Sequence, residues 1–192
     1  MSARRAAIAA ALLAVTSAAT ALAAEPYEPF LGTYVGRAEA GTNAAGEPEI
    51  RDIDVTITST DHGFRIESIT VNHHGDRLSP DVRRRSSVMS FVESDIDGVY
   101  RRDFQRDVFA TRGETNMVAG DALQWARIAD GVLLVYSFVL EDDGYYELAV
   151  FRRALNDSGL DLTFSSERDG EVGRTVTGRL IRVEDVMDDI NP

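Results

Sequence analysis

Apolar and polar residues alternate with a period of two along much of this chain. Between Arg51 and Ser59, Ile53, Val55 and Ile57 share one face while Asp52, Asp54, Thr56 and Thr58 share the other. Leu160, Leu162 and Phe164 alternate with Asp161, Thr163 and Ser165 in the same way. Such alternation predicts β-strands with one dry face and one wet face. Two runs break the pattern. Val132 to Leu140 (VLLVYSFVL) is apolar on both faces and Tyr145 to Phe151 (YYELAVF) nearly so, which predicts central strands covered on the second side by another element or subunit. In Phe64 to Val71 the apolar residues change face between Ile66 and Ile69, which predicts a bulge near Glu67-Ser68.

Between these runs lie Gly, Asp and Asn clusters. They are Thr60-Asp61-His62-Gly63, Asp95-Ile96-Asp97-Gly98, Asp130-Gly131, Glu141-Asp142-Asp143-Gly144, Asn156-Asp157-Ser158-Gly159 and Asp169-Gly170. Each supplies a residue tolerant of positive φ where a hairpin reverses. The fold class that follows is all-β, an antiparallel up-and-down meander. About ten strands are expected, at 31–39, 50–59, 63–71, 87–93, 98–109, 123–129, 132–140, 145–154, 160–167 and 173–184. An open sheet of that size leaves long edges, so closure into a barrel, favoured over a two-sheet sandwich, is expected. The stretches His73 to Ser86 and Ala110 to Asp121 read as loops or a short helix near one mouth.

The first residues change the picture of where this barrel works. Arg4 and Arg5 precede an Ala-rich apolar run with no acid, ending in Ala21-Leu22-Ala23. That order is what secretion machinery reads, so residues 1–23 are expected to be a signal peptide and the protein periplasmic or secreted. Residues 24–184 then form the antiparallel β-barrel domain and residues 185–192 an acidic C-terminal tail. No membrane span is expected in the mature form. The chain has no Cys, so packing and backbone hydrogen bonds hold the fold without disulfides.

Every one of the twenty basic residues is Arg. Residues 1–23 hold two of them and no acid, leaving 18 Arg against 32 acids, a mature charge near −14 compared with −12 for the whole chain. Such a balance repels nucleic acid. The one local inversion lies between residues 77 and 112, where eight Arg face six acids. Arg83, Arg84, Arg85, Arg101 and Arg102 are therefore candidates for an anion-binding or partner-docking rim, set against the plainer reading of a solvated face.

The first strand, Phe30-Leu31-Gly32-Thr33-Tyr34-Val35-Gly36, resembles the Gly-x-Trp first strand of the calycin superfamily, which includes lipocalins, fatty-acid-binding proteins and ten-stranded nitrobindin-like barrels. In those folds a last-strand Arg packs over the first-strand aromatic. The resemblance implies that Arg182 covers Tyr34 as a barrel-closing pair, with Tyr standing where the family usually has Trp. It further implies a cup for a small apolar molecule, and a barrel of ten strands is wide enough to hold one. Candidate lining residues are Trp125, Tyr136, Phe138, Tyr146, Leu148 and Phe164, each with core packing as its alternative. The nitrobindin branch needs a haem-ligating His near the C-terminus, and no His follows His74, so no cofactor is expected.

Little else points to chemistry. His62, His73 and His74 are the only histidines. His62 lies roughly 30 Å along an extended strand from His73, so a three-His metal site is not expected and no metal is assigned. Gly-x-Ser-x-Gly, phosphate-cradling glycine loops and a Ser partner for His are all missing from the sequence, so no catalytic residue is named. The expected function is a non-enzymatic exported barrel binding a small hydrophobic or amphipathic ligand. The alternative is an interaction module that forms a homodimer, or docks a partner, through strands 132–140 and 145–151.

Overall fold

The computed structural model describes residues 24–42, 48–72, 83–104, 116–117 and 120–183. The expected signal peptide, the acidic tail, and His73 and His74 lie outside the described residues. A 3-10 turn, η1 (Glu28–Phe30), precedes ten strands: β1 (Gly32–Thr42), β2 (Pro48–Thr60), β3 (Gly63–Asn72), β4 (Arg83–Glu93), β5 (Val99–Arg102), β6 (Leu123–Ala129), β7 (Val132–Leu140), β8 (Tyr146–Asn156), β9 (Gly159–Arg168) and β10 (Glu171–Arg182). Each pairs antiparallel with its sequence neighbour, and β1 pairs β10, closing the barrel. Closure leaves no free sheet edge.

The turn clusters fall where the chain reverses. In the two-residue turn between β6 and β7, Asp130 and Gly131 have φ of 51° and 70°, the mirror-image turn whose twist matches the flanking strands. No bulge forms near Glu67-Ser68, because β3 runs in unbroken register with both β2 and β4. Ile69 and Val71 therefore face outward, opposite Asp54 and Asp52. Register shifts occur instead in β1, between Glu39 and Thr42, and in β10, between Val172 and Thr175. Beside the closing seam, Gly36 lets strands approach. A Cβ there would stand 2.2 Å from the Arg179 carbonyl oxygen, so this position accepts hydrogen only.

The two ends of the barrel differ. At the end carrying η1 and the β2–β3, β4–β5, β6–β7 and β8–β9 turns, the interior is sealed. Phe64 centres an aromatic cluster there, its ring 5.5 Å from Tyr27, 5.4 Å from Phe91 and 5.0 Å from Tyr100. Ile57, Ile66, Leu133, Leu160 and Leu180 fill the same half and are fully buried. Phe30 of η1 is buried against them as a plug. Apolar burial of this kind drives folding at about 25 cal/mol per Å2.

Candidate functional site

The plug is held by a pair of side chains from the first and last strands. Tyr34 and Arg182 are direct partners across the β1–β10 seam. The Arg182 guanidinium lies 5.2 Å from the Tyr34 ring centroid. Its Nη2 donates to the Tyr34 hydroxyl at 2.7 Å and to the Pro29 carbonyl at 2.8 Å, while that hydroxyl donates to the Phe30 carbonyl at 2.9 Å. One guanidinium thus ties the seam to η1.

Toward the other end the inward-facing side chains become small and polar. From the register, Ser68 and Thr70 of β3, Ser87 of β4, Gln124 of β6, Ser137 of β7, Ala149 of β8 and Ser166 of β9 share the inner face. A ten-strand barrel is about 20 Å across between backbones, given strands about 4.8 Å apart and tilted by about 40°. Ala and Ser side chains do not span that width. Inward residues of this half, including Ser137, Ala149, Phe151, Phe164 and Ser166, are only partly buried, whereas those of the sealed half approach zero exposure. This less sealed half, the cup, carries Phe151 and Phe164 on its inner face with ring centroids 4.8 Å apart.

Six residues were expected to line this interior, and the register places only Phe164 there. Ala126, Leu133 and Val135 take the inward positions of β6 and β7 and are fully buried. Trp125, Tyr136, Phe138, Tyr146 and Leu148 consequently stand on the outer face. They pack on one another across strands: Trp125 stacks on Tyr136 at 4.8 Å and Phe138 on Tyr146 at 5.6 Å, with Leu148 paired to Phe138. The phase of alternation explains the difference. Val132 to Leu140 is apolar on both faces apart from Ser137, so its own sequence says little about which set faces inward.

The arginine candidates divide by the same rule. Arg84 and Arg101 are exposed on the outer face, Arg101 opposite Trp125. Arg83 pairs with Asn72 in the β3–β4 ladder, and Arg85 pairs with Thr70 in the cup's register. Arg102 pairs with Phe91, donates to the Val88 carbonyl at 3.0 Å and lies over the Phe91 and Phe104 rings. At the mouth, Glu49 accepts from both Arg51 and Arg174. Of the inward cations the sequence reading passed over, Arg153 on β8 is the most buried, 2% exposed beneath the Phe151 ring. Its signal was legible, because Arg152 and Arg153 are adjacent in a strand and one of two such residues faces inward.

At the unsealed end, a depression of about 430 Å3 between Gly120 and the β7–β8 turn is lined by Val139, Leu140, Glu141, Asp142 and Asp143. His62 is exposed in the β2–β3 turn. Among the described residues, no cluster of three or more His, Asp or Glu converges as metal ligands would, and no helix is long and apolar enough to cross a membrane. No protein-family model matches the chain, and no curated protein matches it.

Proposed function

We propose that this protein is an exported, calycin-like, non-enzymatic barrel that holds a small amphipathic molecule in the open half of its interior. The observation that carries this reading is the contrast between the two halves: inward side chains are sealed around Phe64 and left accessible around Phe151 and Phe164. Ser137, Ser166 and Gln124 offer hydrogen bonds along the cup wall, and the two Phe rings offer an apolar floor, the mixture that small-molecule pockets use. Protein purified from its native envelope and extracted into organic solvent should release a retained compound, seen by native mass spectrometry as a mass above the apo chain. Apo mass alone, together with no binding of environment-sensitive dyes, would refute it.

The outer face supports a second reading. Trp125, Tyr136, Phe138, Tyr146 and Leu148 form one continuous aromatic patch, joined by Leu140, which is 37% exposed. Arg127 and Arg152 flank it at one end and Glu141, Asp142 and Asp143 at the other. An antiparallel second copy would set the basic end against the acidic end, the self-complementarity a two-fold interface requires. Light scattering at micromolar concentration tests it, because a strict monomer removes this reading and leaves the cup untouched.

A further inference from the structure

We propose that Arg153 is an anion-binding residue at the floor of the cup, so that the bound molecule carries an oxyanion group, a carboxylate, sulfonate or phosphate. The proposal rests on the cup reading and adds the ligand's chemical class to it.

Arg153 is the largest fully buried side chain of the barrel, and its Nε and Nη1 have no hydrogen-bond partner. Its direct partners in the β7 and β9 ladders are Leu133 and Leu162, and the Phe151 ring lies 5.9 Å from its guanidinium carbon. Neither adjoining strand places a carboxylate beside it. Other arginines are engaged: Arg37 with Asp52, Arg179 with Asp161, Arg168 with Glu141 and Asp143, Arg51 and Arg174 with Glu49, and Arg182 with Tyr34 and the Pro29 carbonyl. A buried guanidinium is normally paired, because its five donors lose water on burial. Burial alone pushes this one down to about 10, which still leaves it cationic at neutral pH. An unpaired fork of donors directly beneath the accessible Phe151–Phe164 pair has the shape and charge that an oxyanion matches. Arg85, in the cup's register above, draws anions inward although the chain as a whole is strongly acidic.

Two fluorescent probes of nearly the same ring system isolate the anion. 1-Anilinonaphthalene-8-sulfonate carries a sulfonate, whereas N-phenyl-1-naphthylamine lacks it. Wild-type protein should bind the sulfonate roughly 10- to 100-fold more tightly than the neutral probe, the factor expected of one charge-assisted hydrogen-bonding group. Octanoate should displace it and octanol should not. Arg153→Met should abolish that preference while keeping the neutral probe, Arg153→Lys should retain most of it, and Arg84→Met on the outer face should change nothing. Circular dichroism confirms that each variant is folded, and the two-probe comparison on wild-type protein decides the matter even if Arg153→Met does not fold. Equal affinity of the two probes, or an Arg153→Met variant that binds the sulfonate as wild type does, overturns the anion site and leaves the cup standing. Failure of both probes overturns the cup and the anion site together.

Discussion

Replacing Arg153 by Met should make the protein more stable. The side chain is 2% exposed and two of its nitrogens are unpaired, so in the folded state the charge has lost water and gained little. Burial lowers the guanidinium from its ordinary 12.5 to about 10. At about 1.36 kcal/mol per unit, that is a penalty on the order of 3 kcal/mol for holding the charged form. Met keeps an unbranched apolar stem in the same slot but is shorter, and the space left behind takes back about 1 kcal/mol. The net gain of about 2 kcal/mol converts to a rise in Tm of roughly 4–8 °C for a domain of this size. Thermal unfolding followed by circular dichroism in Tris chloride at pH 7 measures it. Inorganic phosphate added to the buffer should narrow the gap by stabilising wild type alone, as a ligand of the native state does. A variant that melts below wild type in the oxyanion-free buffer refutes the reasoning, because it would show that the guanidinium is compensated and serves as structure. A residue that costs stability in the ligand-free protein is what a binding site leaves behind.

Three further outcomes follow from the sealed end. Arg182→Met removes the donors to Tyr34 and Pro29 and should cost about 2–4 kcal/mol in urea unfolding, whereas Tyr34→Phe keeps the ring under the guanidinium and should cost about 1; a larger loss from Tyr34→Phe would reverse the roles assigned to the pair. Gly36→Ala sets a Cβ 2.2 Å from the Arg179 carbonyl and 2.9 Å from the Leu180 Cα and should cost about 3 kcal/mol by forcing the seam apart, whereas at Gly173→Ala the nearest atom is the Ser166 hydroxyl at 3.1 Å, with the Ser166 carbonyl oxygen at an ordinary 3.5 Å, and the cost should stay within about 1 kcal/mol. Burial, reinforced by Glu25 and Glu93, pushes the Tyr100 phenol up to about 12. Its folded value exceeds the unfolded value of about 10, so its contribution is complete below pH 10 and is lost as pH rises from 10 through 12. Tyr100→Phe should flatten that alkaline decline in urea midpoint, and an unchanged slope would assign it elsewhere.

Strand number and connection were legible because hairpins announce themselves locally. Asp130-Gly131 and Asp169-Gly170 adopt positive φ at the reversals their sequence suggested, and such turns depend on nothing distant. Facing was legible only where a strand mixes polarity. Ile53, Val55 and Ile57 alternate with Asp52, Asp54 and Thr56, and they point inward as that pattern requires. In β7 every position but Ser137 carries a largely apolar side chain, so phase had to come from a neighbour. Arg127 supplied it: solvating Arg127 sends Trp125, two residues away, to the same outer face, and Trp125 then carries Tyr136 with it through their pairing. Reading β7 alone sent its largest rings inward, since large apolar side chains are more often buried than exposed. The seeming change of face in Phe64 to Val71 misled for a related reason. Ile69 and Val71 are half-buried on the outside among β-strand neighbours, which asks for no bulge.

Those facing errors share one physical consequence. With Tyr136 and Phe138 outside and Ser137 inside, the cup wall is hydrogen-bonding while the outer wall of β6 to β8 is aromatic. A greasy ligand would gain little from Ser137, Ser166 and Gln124, whose hydroxyl and amide groups lose water when covered by hydrocarbon. A molecule with polar substituents can replace that water and still reach the Phe151–Phe164 floor. Beneath that floor lies Arg153, and an apolar end group there would leave its donors as unsatisfied as they are now. On the proposed reading, the interior would select against the wholly apolar ligand that fold resemblance alone suggests, and would favour one that is polar along its length and negative at its leading end.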